Sequence, residues 1–171
     1  VMFVREDGSG LSFEPDGNGG YVSPAGYGMT LARSQDGWTL STADGAEYSF
    51  DIYGHIRTIT DVHGYATVYE YDEEYYLTKV TSPLGVSYGF TMDEEERVTS
   101  VTLPDGGTVA YVYDGAGNLI SVTDAAGGVK RYEYDENHRM TAWYDENGTR
   151  VVQNVYDEAG RVVEQTDANG G

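Results

Sequence analysis

The sequence contains no cysteine among its 171 residues, which excludes disulfides, thiolate nucleophiles and cysteine metal sites. It has only ten Lys and Arg against 29 Asp and Glu, so its formal charge is −19. A chain this acidic is repelled by phosphate backbones, which argues against nucleic acid as a partner. The charge favours solubility, with a cation or a basic protein partner as the alternative.

Long apolar runs are also missing. No run of about 18 apolar residues occurs, and no basic segment leads into an apolar one at the start. The sequence therefore predicts neither a membrane span nor a signal peptide within these residues. The chain opens without a typical start and stops inside a turn, so we expect a fragment of a longer protein.

Catalytic motifs are absent. There is no G-x-S-x-G elbow, no H-E-x-x-H, no Walker loop and no dinucleotide fingerprint, so an enzyme is the least favoured class. The three histidines lack metal-ligand spacing and are interpreted as solvated surface residues: His55, His63 and His138. No cofactor or metal is predicted. Pieces resembling calcium loops begin at Asp16, Asp145 and Asp167, and a calcium-stabilised surface domain is a third hypothesis.

The residues that are abundant point to strands and tight turns. The chain holds 16 Tyr and 23 Gly, against four Phe and two Trp. Aromatic side chains suit a pleated surface, and glycine suits turns with positive φ. No segment of ten or more residues shows a convincing helical stripe, so almost no helix is expected.

A repeat of 21 residues is the strongest signal in the sequence. One marker is the Asp that follows an aromatic residue in most repeats, and its last step is 22 residues: Asp51, Asp72, Asp93, Asp114, Asp135 and Asp157. A second marker keeps the same steps: Gly64, Gly85, Gly106, Gly127, Gly148 and Gly170. Two independent markers with one shared period identify a repeat array.

Each repeat contains two predicted corners. Asp at position i and Gly at i+3 are favoured in type I turns, because the carboxylate accepts nearby backbone N–H groups and Gly tolerates the exit geometry. The first corner is clear at Asp51, Asp114 and Asp157, and decays at Asp72, Asp93 and Asp135. We expect looser corners at Asp72 and Asp93, which lack the Gly. Pro83 and Pro104 occupy i+1 of second corners, a position that favours Pro.

Two short strands are predicted between the corners. The strand before each first corner carries aromatic residues two apart, such as Tyr111 and Tyr113, which predicts a Tyr ladder on one face of the sheet. The strand after it carries apolar residues three apart, such as Leu119 and Val122. A spacing of three predicts either a bulge or two partly buried faces, and the sequence alone does not decide between them.

The predicted fold is all-β, an antiparallel β-hairpin repeat array. Residues 48–171 hold the six repeats. Residues 1–47 form an irregular β-meander with a cap-like role, including hairpins over Asp7–Gly8 and Asp44–Gly45 and a turn at Asp16 leading into a short strand. The residues that mark the repeat structurally are Tyr71, Asp72, Tyr113, Asp114, Gly117, Asp124, Gly127, Tyr134, Asp135, Asp145, Gly148, Tyr156, Asp157 and Gly160.

The segment "YDGAGNLISVTDAAGG" resembles the YD repeat of the Rhs family, which has the pattern Y-D-x-x-G-R/N-L-x-x-V-T-D-x-x-G. The resemblance covers residues 36–171 well and residues 1–35 loosely. It implies a curved strip of a spiral β-sheet shell, as in bacterial Rhs and wall-associated toxins, toxin-complex cocoons and teneurins. No counterpart of the family's self-cleavage segment or of a toxin domain is present.

The resemblance implies a non-enzymatic structural segment that encapsulates or presents a C-terminal toxin domain of a larger secreted or cell-surface protein. Its partners would be the remainder of its own parent chain, with further repeats and a toxin cargo. The alternative is a carbohydrate-binding or adhesive module, in which exposed Tyr faces beside Asp and Asn would bind glycans. A Tyr ladder that holds hairpins together explains the same tyrosines and is favoured, because the pairs recur in every regular repeat.

Overall fold

The computed structural model describes residues 1–5 and 7–170, and within them the chain contains strands and turns but no helix. The strands are short and separated by tight corners, as expected from the regular Asp, Gly and Pro positions. Their bounds are β1 Met2–Val4, β2 Gly10–Ser12, β3 Glu14–Pro15, β4 Tyr21–Val22, β5 Thr30–Arg33, β6 Trp38–Ser41, β7 Glu47–Phe50, β8 Ile56–Thr60, β9 Ala66–Tyr71, β10 Leu77–Thr81, β11 Ser87–Met92, β12 Val98–Thr102, β13 Thr108–Tyr113, β14 Leu119–Thr123, β15 Val129–Tyr134, β16 Met140–Tyr144, β17 Arg150–Tyr156 and β18 Val162–Asp167. The prediction of an all-β antiparallel hairpin array is confirmed.

The chain divides into two compact units, Val1–Ser87 and Tyr88–Gly171. In the first unit, β3 to β10 pair antiparallel in chain order, and β1 and β2 form a separate hairpin. In the second unit, β11 to β18 pair antiparallel in chain order. This order of neighbours is what hairpins joined by short corners produce, because each corner returns the chain beside the strand it has just left.

The first unit contains a compact hydrophobic core. Phe13 and Leu40 are fully buried, and Leu11 and Leu31 nearly so. The β1–β2 hairpin packs on the sheet through Phe3, whose ring contacts Tyr48 and Phe50 edge-on at 5.7 and 6.1 Å. The hairpins predicted over Asp7–Gly8 and Asp44–Gly45 are present, as is the turn at Asp16 before a short strand. The cap-like role of residues 1–47 stays a prediction.

A β-bulge follows every first corner and answers the question of the three-residue spacing. In β14, Leu119 pairs with Tyr113 and Ser121 with Val112, so Ile120 has no partner. The same shift leaves one residue unpaired in each equivalent strand: Arg57, Thr78, Thr99, Ile120, Thr141 and Val163. Because the bulge adds one residue, two apolar residues that are three apart in sequence, such as Leu119 and Val122, point to the same face of the sheet.

The bulge places the apolar pair of one strand directly across from the aromatic pair of its neighbour. Tyr113 faces Leu119 and Tyr111 faces Val122. The strand that carries Leu119 and Val122 lies between two strands that carry aromatic pairs. The two aromatic strands are therefore about 10 Å apart, twice the spacing of neighbouring strands. The prediction that Tyr stacks directly on Tyr in a ladder was therefore wrong in this detail. Strands with aromatic pairs alternate with strands whose paired residues are mainly aliphatic, and Trp143 across from Tyr132 is an exception.

A second bulge explains the one 22-residue step. Between β16 and β17, Trp143 pairs with Val152 and Tyr144 with Arg150, which leaves Val151 unpaired. This bulge absorbs the additional residue between Asp145 and Asp157. The last hairpin also departs from the aromatic pattern, because buried Asn154 pairs with Gln165 and donates its side-chain amide to the Met140 carbonyl at 3.1 Å. The repeat continues past the irregularity with its corner geometry intact.

Candidate functional site

The first corner of each repeat is the most elaborate polar arrangement on the chain. In the fourth repeat the Gly117 N–H donates to the Asp114 carbonyl at 3.0 Å, and the Asp114 N–H donates to the Asn118 carbonyl at 2.9 Å. This is a type I turn followed by a left-handed residue that forms a bulge, a common three-residue hairpin loop. The corners over Pro83 and Pro104 close in the same way, which confirms their predicted position.

The side-chain carboxylate of each corner Asp accepts hydrogen bonds from backbone N–H groups of its own loop. One oxygen of Asp114 accepts the backbone N–H groups of Ala116 and Asn118, both at 2.9 Å. The same pair of bonds, to the second and fourth following residues, forms at Asp72, Asp124, Asp135, Asp145 and Asp157. Each predicted Asp marker thus accepts backbone hydrogen bonds. That these residues are what defines the repeat stays a prediction.

Three first corners have a non-glycine residue in the left-handed position. Tyr75, Glu96 and His138 have φ values of 68°, 63° and 61°. Their hydrogen bonds match those of the glycine corners, since the Glu96 N–H donates to the Asp93 carbonyl at 3.1 Å. The expectation of looser corners at Asp72 and Asp93 was therefore wrong. The paired strands on both sides hold the loop closed. The cost of lacking Gly is backbone strain in the residue that adopts the left-handed conformation.

A residue four positions after each corner Asp, which we call the arm residue, was not identified from the sequence. The arm residues are His55, Tyr76, Arg97, Asn118, Arg139 and Arg161. Five of them bond the second carboxylate oxygen of their own Asp, as in the bonds of Arg97 at 2.8 Å and Asn118 at 2.9 Å. The R/N position of the repeat pattern was the signal that could have found them.

Two arginine arms also reach the next repeat. The guanidinium of Arg97 lies over the ring of Tyr113 at 4.7 Å, and that of Arg139 over Tyr156 at 4.8 Å. Arg57, at a bulge, bonds Asp51 at 2.9 Å and lies over Tyr71 at 5.1 Å. Cation–π contacts of this kind contribute about 0.5–1 kcal/mol each at exposed sites. They link one hairpin to the next.

The predicted tyrosine markers add hydrogen bonds between repeats. The hydroxyl of Tyr113 donates to the Val98 carbonyl at 3.0 Å, and that of Tyr156 to the Met140 carbonyl at 2.8 Å. Burial raises the pKa of Tyr134, which is half-buried. In these repeats the tyrosines contact neighbouring hairpins, as the structural interpretation of them predicted.

The hydrogen bonds of the corners lower the pKa of several aspartates. The side-chain amide of Asn118, and then its backbone N–H, lowers the pKa of Asp114. The Arg139 side chain does the same for the pKa of Asp135. At Asp51, burial by itself raises the pKa, but the backbone and ring N–H groups of His55 outweigh it. Each lowered pKa means that the hydrogen bonds of the corner stabilise the ionised form of its aspartate.

The histidines divide in a way the sequence did not show. His63 is exposed, as predicted, and so is His138, although its Nδ1 lies 2.8 Å from the Asn118 side-chain oxygen. His55 is half-buried, bonds Asp51 and stacks on Tyr75 at 4.9 Å. Its interpretation as a solvated residue was wrong, because a neighbouring repeat covers it.

An exposed aromatic cluster surrounds this histidine. Tyr53 and Tyr75 are 66% and 41% exposed, and their rings meet edge-on at 5.1 Å. A side-chain hydrogen bond with Tyr53 is the main reason that the pKa of Tyr75 is raised.

Among residues 1–5 and 7–170, no three His, Cys, Asp or Glu side chains are grouped to hold a metal ion. The described residues also include no helix long and apolar enough to cross a membrane.

Comparison with known proteins identifies the class of this array. The RHS Repeat family model matches residues 50–87, 93–129, 113–150 and 134–171, which together make up more than half of the chain. The chain therefore belongs to the RHS repeat family, as its sequence resemblance implied. Comparison with curated proteins gave no match.

Solved structures with the same fold come from toxin complexes. A TcdB2-TccC3 crystal structure matches with a TM-score of 0.66 at 12% identity, over 95% of this chain and 10% of that one. A Photorhabdus luminescens Tc holotoxin pore with a mutation in TccC3 matches with a TM-score of 0.58 at 15% identity, over 81% and 9%. The chain thus spans about a tenth of the length of these proteins, and the similarity establishes the fold.

Proposed function

We propose that the chain is a non-enzymatic wall segment of an RHS-repeat shell that encloses or presents the toxin domain of a larger secreted or cell-surface protein. The observation that carries this proposal is that the polar side chains of the repeats bond one another and their neighbouring hairpins. Asp93, Arg97 and Tyr113 form one such connected set. A surface whose functional groups are occupied in this way suits a wall.

Membership of the RHS repeat family and the toxin-complex origin of the similar structures support the same function. The rest of the parent polypeptide, with further repeats and a toxin, would be the main partner. The charge of −19 would favour a basic cargo, because an acidic wall attracts positive charge over the Debye length. The attraction between the acidic wall and a basic cargo would weaken as salt is added.

The test is protease protection of the full-length polypeptide that contains these repeats, followed by mass spectrometry of the surviving fragments. A C-terminal fragment that resists digestion and is released only on denaturation supports an enclosing shell. Immediate digestion of everything after the repeats contradicts it. Repeating the assay on the opened shell at low and high salt tests the electrostatic part, since a basic cargo should dissociate more readily at high salt.

A carbohydrate-binding surface is a second candidate, and the exposed Tyr53–Tyr75 pair favours it. Their exposed aromatic faces can stack on sugar rings, and their hydroxyl groups can exchange hydrogen bonds with those of a sugar. A glycan panel should then change tyrosine fluorescence and raise the melting temperature of the wild type, but not of Tyr53→Ala. Tyr88→Ala is the matched control, because Tyr88 is also exposed, at 43%. An unchanged wild-type signal across the panel rejects this function.

A further inference from the structure

The contact between the first corners of neighbouring repeats follows a rule that involves two positions. One is the arm residue of the preceding repeat. The other is the left-handed residue of the next corner, three positions after its Asp; we call it the αL residue. Four such junctions lie within the two units: His55 with Tyr75, Arg97 with Gly117, Asn118 with His138, and Arg139 with Gly160.

At two of these junctions an arginine arm meets a glycine. A Cβ atom added to Gly117 would lie 3.8 Å from a terminal nitrogen of Arg97, and one added to Gly160 would lie 3.6 Å from Arg139. The guanidinium crosses this space to reach the tyrosine before the next Asp. Arg139 also donates to the Asp157 carbonyl at 3.2 Å. A methyl group at the αL position would just touch the guanidinium, and a longer side chain that points toward it would have to displace it.

At the other two junctions a shorter arm meets a side chain. The His55 ring stacks on Tyr75 with an interplanar angle of 16°, and the Asn118 oxygen bonds the His138 ring. Both αL residues keep positive φ values of 68° and 61°, which glycine would adopt more easily. The contact across the junction therefore offsets part of the strain of a non-glycine residue.

We propose that the arm residue and the αL residue form a matched pair that determines which repeats can lie side by side. Arginine fits beside glycine, and asparagine or histidine fits beside a ring. The physical reason is that both side chains occupy one space above the corner. Either the arm fills it from one side or the αL residue fills it from the other, and filling it twice or not at all is unfavourable.

The same rule describes an interaction surface at Arg161. Its guanidinium bonds Asp157 at 2.8 Å, yet its side chain is 80% exposed, against 29% for Arg97 and 26% for Arg139. Within the described part of the chain no aromatic ring lies beneath it, in contrast to Arg97 and Arg139. Arg161 thus presents an arginine arm that fits a further hairpin corner with glycine at its αL position and tyrosine before its Asp.

A double-mutant cycle tests the matched pair. Gly117→His should lower the melting temperature more than Gly127→His, because both glycines have φ of 88° but only Gly117 has an arginine beside it. Combining Arg97→Asn with Gly117→His should recover about 2–4 °C relative to the sum of the single changes, the shift expected for one added interaction in a chain of this length. The reason is that the pair then matches Asn118 and His138.

Equal losses for Gly117→His and Gly127→His, together with additive single changes, would overturn the rule. If Gly117→His fails to fold, the reverse exchange decides the matter. The double variant Asn118→Arg/His138→Gly should be more stable than the sum of the two single changes predicts. Additivity in that cycle also overturns the proposal.

Arg161 is tested by lengthening the chain. A second copy of residues 151–171 placed after residue 171 puts its corner Asp 21 residues beyond Asp157, the step of the regular repeats. In the original chain Arg161→Ala should shift the melting temperature by less than about 1 °C, since an exposed ion pair contributes little. In the lengthened chain the loss should reach that of Arg139→Ala, and replacing the copied Gly160 by His should abolish the difference. If Arg161→Ala leaves the melting temperature of the lengthened chain unchanged, the proposed interaction surface at Arg161 is rejected.

Discussion

At the scale of single residues, the corner aspartate does more than favour a turn. Asp51 shows the fullest case, because it is buried and accepts from the backbone N–H groups of Tyr53, Gly54 and His55, from the His55 ring and from Arg57. Asp61, at the second corner of the same repeat, is exposed and accepts two backbone N–H groups. The two residues have the same local sequence role but different numbers of partners.

This difference predicts unequal costs of substitution. Asp51→Ala should lower the free energy of unfolding by about 3 kcal/mol, because removing this buried charged acceptor leaves several partly buried donors unpaired. Asp61→Ala should cost about 1 kcal/mol, similar to the loss of a helix cap. Urea denaturation followed by circular dichroism measures both. Equal costs would show that the additional partners of Asp51 contribute nothing.

Gly37 is the residue where the backbone leaves least room for a side chain. Its φ is 147°, and an added Cβ would lie 1.9 Å from the Phe50 carbonyl oxygen. Gly37→Ala should therefore lower the free energy of unfolding by more than about 3 kcal/mol, a size that indicates a steric mechanism. Gly148→Ala is the control, since nothing lies within 4 Å of that position and only about 1 kcal/mol should be lost. Comparable denaturation midpoints for the two variants would contradict this.

At the scale of the elements, the hairpin corners and the bulges work together. The corner sets the register of two strands, and the bulge after it rotates the next strand so that residues three apart face the same side. Thr78 and Thr99, at bulge positions, donate hydroxyl hydrogen bonds to the carbonyls of Glu70 and Thr91. These bonds give a carbonyl of the partner strand a donor where the pairing is irregular.

The strained corners offer a prediction at this scale. Glu96 has a φ of 63°, and its carboxylate forms no ion pair in the described part of the chain. Glu96→Gly should raise the free energy of unfolding by about 0.5–1 kcal/mol, because glycine adopts this conformation without strain. The melting temperature should rise by about 2 °C.

His138→Gly is the variant with which the rise in melting temperature of Glu96→Gly is compared. It relieves the same strain but removes the bond to Asn118, so its melting temperature should rise less than that of Glu96→Gly or should fall. An equal rise for both variants would mean that the side chain of His138 contributes nothing to its junction.

At the scale of the whole molecule, the acidic charge is balanced locally by the corners. The corner hydrogen bonds lower the pKa of Asp51, Asp93, Asp114, Asp135 and Asp157, although self-repulsion at a charge of −19 acts in the opposite direction. The native state therefore favours ionised carboxylates more than the unfolded state does. Three tyrosines have raised pKa values mainly because burial disfavours the phenolate: Tyr71, Tyr134 and Tyr144.

These shifts predict the pH dependence of stability. Below the ordinary Asp value of 3.8 the unfolded state binds more protons, so stability falls as the pH drops through the lower native pKa values. Above the ordinary Tyr value of 10.0 the native state retains protons that the unfolded state loses, so stability falls as the pH rises. Melting temperatures measured from pH 2 to 11, in steps of about one unit, should form a plateau between these limits.

Asp114→Asn is the control for the acid side. The asparagine oxygen still accepts the backbone N–H groups of the corner, but the group no longer titrates. The fall in melting temperature below pH 4 should be shallower for this variant than for the wild type. An identical slope would show that Asp114 does not contribute to the acid transition.

The sequence alone determined the repeat length, the order of strands and both corners of each repeat. The physical reason is that a turn is encoded within a few consecutive residues, as at Asp114–Gly117, so its chemistry can be recognised without knowing its neighbours. The family resemblance rested on the same local pattern. Even the irregular corners at Asp72 and Asp93 were found in the correct places, although their tightness was not.

Only the tertiary structure decided how the hairpins meet. The bulge at Ile120, the aliphatic row between the aromatic rows and the contact of Arg97 with Gly117 all depend on residues brought together across strands. Such partners lie on different strands, and a side chain on a neighbouring strand leaves no signature in the local sequence. The stacked His55 shows the consequence, because its surroundings come from Tyr75 of the next repeat and not from the turn that holds it.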